Sequence, residues 1–513
     1  MVSQRNIFYF VRKPIRCFST KVKNESYSKF DDTNSREGWS TAKPYKSIPG
    51  PSKWNIIKRF MLKKKNEPVN LSDIFDQFQK EYGSIFRIKG LFGSKDTVVI
   101  RDPKDFEITY RTEGYYPDRR NMDILNYCKK DKYPITFALI TEHGENWWSL
   151  RQKINSVLLQ PQVIKSYTSA VDEVTVDFLR KLHSLRDANH ETPPDFLHQL
   201  NMWALESVTY ITLNRRLGVL EQNPDGDSLK LIHNIKDFLQ LFEELQLRPS
   251  IWKIYKTSKF VKFQRVTEEM QEIIYKLVDQ SVRSLRARSD GQVDHDNKSI
   301  FEKFYEIDKY VAMGVVMDSI IGGIDTVSAT VYAVLSKLAL NPTKQNILRN
   351  EILQILPEKD NPLTKEKMIN LPYLRACIKE AMRMTPVLPG SSRLAGQDII
   401  LKGYQIPKNT NILMYSSLLN NDDQHFSNPN TFMPERWIRT FKKDTNWNAF
   451  AFLPFGFGTR SCIGRRLAEL EIEILISRMV RNYHMEWHVP PPKMRFSTVN
   501  LPQGDIKLRL QEH

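Results

Sequence analysis

The chain has 513 residues, 41% of them hydrophobic and 11% aromatic, which is enough to bury a full-sized core and excludes disorder along its whole length. Seventy-six Lys and Arg against 59 Asp and Glu leave a net charge of +17, compatible with nucleic acid, an anionic membrane, an acidic partner or a targeting segment. Four cysteines in so long a chain exclude a disulfide scaffold and favour a reducing compartment.

Residues 1–24 carry Arg5, Arg12, Lys13, Arg16, Lys21 and Lys23, with no acid before Glu25. Their apolar residues cluster only over 7–11, too few for a secretory signal and far short of the roughly 20 that span a bilayer. A basic, acid-free, partly amphipathic start is what mitochondrial import reads. Arg16-Cys17-Phe18-Ser19-Thr20 looks like a matrix-protease site cut after Phe18, which makes residues 1–18 a presequence and 19–47 a flexible lead-in. Residues 48–51, Ile-Pro-Gly-Pro, read as a stiff entry to the body of the chain, 48–513.

Residues 71–82 have helical spacing, and 84–89 with 96–101 read as a hairpin around 90–93. From about 106 to 340 the pattern is mostly helical, broken at prolines. Within it, residues 251–265 interleave Ile251, Trp252, Ile254, Tyr255, Phe260 and Phe263 with Lys253, Lys256, Lys259, Lys262 and Arg265, a composition suited to a membrane interface. Residues 310–340 are apolar enough to be weighed as a membrane span. They carry Asp318, Asp325, Lys337 and Gly322-Gly323, and charge at mid-bilayer is costly, so a helix buried at the centre of a soluble fold is the better reading. Short strands return over 399–402 and 411–415, loops fill 421–461, and a helix spans 463–483. There is no internal repeat and no Gly/Ser linker. The sum is one large, mainly α domain with a small β component.

The most informative segment is Phe455-Gly456-Phe457-Gly458-Thr459-Arg460-Ser461-Cys462-Ile463-Gly464. Its glycines let the backbone turn tightly and approach a flat ligand. Cys462 precedes a helix whose free N–H groups favour a thiolate, and Arg460 offers a fixed cation two residues away. The other cysteines, Cys17, Cys128 and Cys377, read as inert.

At these residues the chain resembles the cytochrome P450 family, the haem-thiolate monooxygenases, whose signature Phe-Gly-x-Gly-x-Arg-x-Cys-x-Gly it meets without a departure. The resemblance implies a P450-type fold and haem b (iron protoporphyrin IX), with Phe455 in the haem loop and Cys462 as the axial ligand of the iron, the ligation that favours O–O cleavage. It implies that Trp147 and Arg151, in a Trp-x-x-x-Arg helix, hold one propionate, and that Arg393 holds the other beside Arg460. Glu380 and Arg383 on one helix face would join Arg436 of Pro434-Glu435-Arg436-Trp437 in a buried structural network. In Gly322-Gly323-Ile324-Asp325-Thr326, the glycines leave room for a ligand, Thr326 hydrogen-bonds dioxygen or water, and Asp325 relays protons.

Family members in mitochondria take electrons from an acidic [2Fe–2S] ferredoxin with its NADPH-dependent reductase, and Arg375, Lys379, Arg465 and Arg466 match the basic face that docks it. Together with the import sequence this implies the matrix side of the inner membrane, peripheral membrane association and an apolar substrate. A nucleic-acid role has no zinc-finger, RNP-type or helix-turn-helix signature behind it. The stretches 106–120, 203–207 and 216–220 resemble the insect mitochondrial branch associated with xenobiotic metabolism. Alternatives within reach of the same motifs are an ecdysteroid-type steroid hydroxylase, a non-catalytic haem sensor, and a haem-thiolate isomerase or dehydratase. The pocket residues, near 115–136, 238–254, 313–321 and 387–392, say only that the substrate is apolar and moderately large.

Overall fold

Helix boundaries follow from short polar caps. In the computed structural model, Asn70 accepts a hydrogen bond from Ser72 N at 3.1 Å to open the helix Leu71–Tyr82, and Gly83, at φ +91°, ends it. Asp102 caps the helix Pro103–Arg111 through Lys104 N, with Pro103 in the first turn. A reciprocal Ser299–Glu302 capping box opens the helix Ile300–Ile307. Asp308 ends that helix and caps the next, Lys309–Ala339, through Tyr310 N at 2.9 Å.

The structure describes residues 38–61, 70–91, 94–119, 124–125, 139–247, 251–288, 298–417, 419–438, 448–489, 492, 494–495 and 499–513. The presequence reading, Cys17, Cys128 and most of the lead-in lie outside these. In chain order come α1 (Lys53–Met61), α2 (Leu71–Tyr82), β1 (Ile85–Ile88), β2 (Thr97–Ile100), α3 (Pro103–Arg111), α4 (Gly144–Leu158), α5 (Pro161–Lys165), α6 (Thr168–Leu185), α7 (Phe196–Leu213) and α8 (Gly226–Leu247). There follow α9 (Ser258–Arg288), α10 (Ile300–Ile307), α11 (Lys309–Ala339), α12 (Pro342–Ile355), α13 (Pro372–Met384), β3 (Gly390–Leu394), β4 (Ile399–Leu401), β5 (Tyr404–Ile406), β6 (Asn411–Tyr415), α14 (Arg465–Asn482), β7 (Tyr483–Glu486), β8 (Met494–Arg495), β9 (Leu501–Pro502) and β10 (Arg509–Glu512). The mainly α reading with a small β component is borne out, as are the helix at 71–82 and the hairpin that follows it. The last long helix begins at Arg465, because Gly464 stands at its N-cap, two residues later than the sequence pattern predicts.

The main sheet has the order β1-β2-β6-β3. Its first pair is an antiparallel hairpin, β2 lies parallel to β6 with Thr97 opposite Asn411, and β3 returns antiparallel with Arg393 opposite Ile412. The helical core gathers around α11, which packs against α4, α7, α9, α10, α12, α13 and α14. Among the described residues α11 is the one helix long and apolar enough to cross a bilayer, yet its side chains are mostly buried inside the protein. It is the central helix of a helical body.

Two stretches quoted from the sequence meet here. Glu206, fully buried on α7, accepts hydrogen bonds from Arg216 Nε at 2.7 Å and from the amides of Leu217, Gly218 and Val219. A carboxylate with this many donors closes the turn leaving α7. The basic-aromatic segment at 251–265 divides. Trp252, stacked on Phe260, and Phe263 enter the core, while Ile254 and Tyr255 stay 80% and 72% exposed.

Candidate active site

The segment before α14 folds as two tight turns. Gly456 and Gly458 sit at φ +73° and +75°, which other residues adopt only with strain, and Cys462 N donates to Phe455 O at 2.8 Å to close the loop. The Arg465 guanidinium lies 5.3 Å from the Phe455 ring. Cys462 keeps a solvent-accessible surface although protein atoms crowd around it. That enclosure pushes its thiol up, against the Gly464 N–H and the charges of Arg151, Arg119 and Arg465, which favour the thiolate. Burial of the thiol thus opposes the helix-start effect expected from the sequence.

On α11, Gly322 is exposed and Gly323 and Thr326 are half-buried, although Ile320, Ile321, Ile324 and Asp325 around them are buried. A side chain at Gly322 would meet nothing within 4 Å, whereas one at Gly323 would touch Val208 of α7. Gly322 thus borders open space, and Gly323 serves helix packing. Thr326 Oγ1 donates to Gly322 O at 2.6 Å. Asp325 turns the other way, accepting from Asn201 Nδ2 at 2.9 Å, and burial raises its pKa to about 6.

Four guanidiniums converge nearby. Arg460 donates to the carbonyls of Pro117, Leu139 and Glu142 and stacks 3.9 Å over the ring of Trp147, itself buried on α4. Arg151 donates from Nε to Asn155, and burial lowers its pKa to about 10, opposed by Cys462. Arg393 donates to Glu113, Ser391, Ser392 and Phe457 O. The fourth, Arg119, donates to Arg460 O at 2.6 Å. Burial, then Arg393 and Arg460, push its pKa down to about 9. Sequence reasoning quoted Arg119 only as part of a branch-like stretch. With Glu113 and Asp118 as the neighbouring carboxylates, the group holds a surplus of two positive charges. The haem that the resemblance implies, a flat group with two propionates and an iron that takes a thiolate, fits these guanidiniums and this sulfur.

Glu380, fully buried on α13, accepts from Arg383 (3.0 and 2.9 Å), Arg436 Nε (3.0 Å), Met433 N and Trp437 Nε1 (2.8 Å). Arg383 continues to Asn420 O and Pro429 O. The structure thus brings together all three residues the sequence grouped, and adds Trp437.

A sequence model described as Cytochrome P450 matches residues 48–510. The chain belongs to the cytochrome P450 family. It is 37% identical over 494 residues, 94% of this chain and 92% of the relative, to the probable mitochondrial cytochrome P450 12b2 of Drosophila melanogaster. It is 36% identical to the mitochondrial cytochrome P450 12b1 of Drosophila acanthoptera over 93% of this chain and 92% of that one. To cytochrome P450 CYP12A2 of Musca domestica it is 36% identical over 92% of each. The resemblance to the insect mitochondrial branch is borne out. As a P450 the protein is a haem-binding monooxygenase, an oxidoreductase.

The basic face expected for an electron donor is only partly free in this P450. Arg375 is committed to a two-point pair with Glu473 of α14 (2.8 and 3.1 Å) and to the carbonyls of Met368 and Ile369. Arg465 pairs with Glu469 at 2.8 Å. Lys379 and Arg466 are exposed.

Proposed function

We propose that this P450 hydroxylates apolar small molecules, foreign compounds or endogenous lipids and steroids, on the matrix side of the mitochondrial inner membrane, with electrons from a [2Fe–2S] ferredoxin and its NADPH-dependent reductase. The observation that carries the reading is Cys462 at the end of a loop turned by Gly456 and Gly458, with the charges of Arg119 and Arg151 acting on its sulfur and Arg393 and Arg460 beside those two. Haem b, when bound, supplies the one-electron and O₂ chemistry. The net reaction is R–H + O₂ + two electrons + two protons giving R–OH + H₂O.

The chain's own residues divide the work. Cys462 ligates the iron. Arg119, Arg151, Arg393 and Arg460 neutralise the propionates, with Trp147 under Arg460. Thr326, whose hydroxyl donates to Gly322 O, can still accept a hydrogen bond at its oxygen, and Asp325, its pKa raised to about 6, can hold a proton for exchange near neutrality. The exposed Ile254 and Tyr255, flanked by Lys253 and Lys256, suit a peripheral hold on an anionic membrane. The import-like residues 1–18 support the compartment.

The test is reconstitution with a mitochondrial-type ferredoxin, its reductase and NADPH under ¹⁸O₂. One labelled oxygen per product is expected from the wild type. Cys462→Ser should lose both turnover and the thiolate-type spectrum of the ferrous carbonyl complex, and persisting turnover in that variant would overturn the assignment. Optical titration of the ferric protein adds the substrate class. Weak spin shifts with many lipophilic compounds support a permissive pocket, and a tight shift confined to an ecdysteroid precursor points to hormone synthesis.

A further inference from the structure

We propose that Glu113 is a positioning residue of the propionate site, one that fixes the Arg393 guanidinium and sets how much positive charge the propionates meet. The inference rests on haem occupying the arginine ring, as proposed above.

Glu113 lies two residues beyond α3, and its Oε2 accepts from Arg393 Nε at 2.5 Å. The two side chains are 5% and 0% exposed, so the pair is out of solvent and strongly felt. Arg393 is then locked from every side, by Ser391 Oγ and Ser392 O at 2.9 Å, by Phe457 O of the cysteine loop, and by the Tyr110 ring 5.1 Å below its guanidinium. The other carboxylate oxygen of Glu113 reaches the cysteine loop. A Cβ on Gly458 would lie 2.7 Å from Glu113 Oε1. Gly458 therefore leaves room for the carboxylate as well as making the turn. The main chain is held as closely, because a Cβ on Gly396 would lie 2.5 Å from Thr112 O and 2.8 Å from Glu113 O. Glu113 joins three segments at one point: the end of α3, strand β3 and the loop that carries Cys462.

A buried carboxylate in a site built for a dianion lowers the attraction for that dianion, so packing convenience does not explain it. Its use is to offset repulsion among guanidiniums held together before the ligand arrives. Asp118, the neighbouring carboxylate, is oriented differently, with Oδ1 2.8 Å from His143 Nδ1. Removing the Glu113 charge raises the surplus around the propionates from two to three. Added positive charge near the iron stabilises its reduced state and raises the midpoint potential.

The experiment compares wild-type, Glu113→Gln and Glu113→Asp holoproteins by potentiometric titration and by the rate of haem transfer to apomyoglobin. Glu113→Gln keeps the shape and loses the charge, so a positive shift in potential is expected, with haem loss no faster than in the wild type. Glu113→Asp keeps the charge and shortens the reach, so an unchanged potential with faster haem loss is expected. A merely structural role would leave the potential of Glu113→Gln at the wild-type value, and that result overturns the proposal. If Glu113→Gln does not retain haem, Glu113→Asp decides: haem loss at the wild-type rate overturns the proposal. A wild type without the thiolate-type carbonyl band would instead sink the haem reading itself, a failure visible before any variant is compared.

Discussion

Asp325 is a carboxylic acid placed where a charge is expensive. Burial raises its pKa from 3.8 to about 6, and the Asn201 amide only partly relieves it. A folded-state pKa above the unfolded one means the fold prefers the neutral acid. The resulting penalty is absent below about pH 4, accumulates as pH rises, and is complete once pH has passed about 6. At 1.36 kcal/mol per unit the full penalty is about 3 kcal/mol at most. Asp325→Asn removes it while its carbonyl oxygen can still accept from Asn201. The variant should therefore be more stable than the wild type at pH 8, with a smaller gain at pH 5, measured as thermal unfolding midpoints. Turnover should move oppositely, because an amide cannot exchange the proton, and a kcat loss of 10-fold or more is expected. An equal gain at both pH values would mean that Asp325 is not the acid described.

Between elements, the network around Glu380 ties α13 to residues 420–437 through Arg383 and Arg436, with both charges of the Glu380–Arg383 pair fully buried. Glu380→Ala leaves two guanidiniums without their acid in the interior, and a cost of about 3–5 kcal/mol is expected. The exposed Arg283–Asp279 pair on α9 is the contrast, where Arg283→Ala should cost about 0–1 kcal/mol. Chemical denaturation of both variants measures the difference, and equal losses would contradict it. Such networks were partly legible beforehand. Glu380 and Arg383 share a helix face by local spacing, and the helical spacing over 71–82 marked α2. The start of α14 was misread because an apolar Ile463 extends the helical pattern across Gly464. Glu113 could not be assigned at all, since its partner lies 280 residues away and no local period links them. Arg119 was hidden for the same reason, as its acceptor, Arg460 O, is 341 residues distant.

At the scale of the whole molecule, a net charge of +17 gains meaning only through where free cations remain. Arg375 does not remain free. Its pair with Glu473, together with two carbonyls, clamps α13 onto α14, the helix that follows Cys462. The clamp holds the exposed Lys379 on one helix and the exposed Arg466 on the other in fixed relation, close to the chain that leads to the sulfur. An acidic ferredoxin, the donor proposed above, would gain mainly in association rate if steered to that face, and the gain would be screened by salt. Reversing charge with Lys379→Glu and Arg466→Glu together should raise the KM for ferredoxin at least 10-fold at low ionic strength. The gap to the wild type should narrow as salt is added, and the ferrous carbonyl spectrum after chemical reduction should stay intact. Arg375→Ala should behave differently, because it leaves Glu473 largely buried without its partner. Its defect should appear as lower stability and should persist at high salt. If the Lys379→Glu/Arg466→Glu pair leaves ferredoxin kinetics unchanged at low salt, electrons enter from another face, and these two charges only solvate the surface.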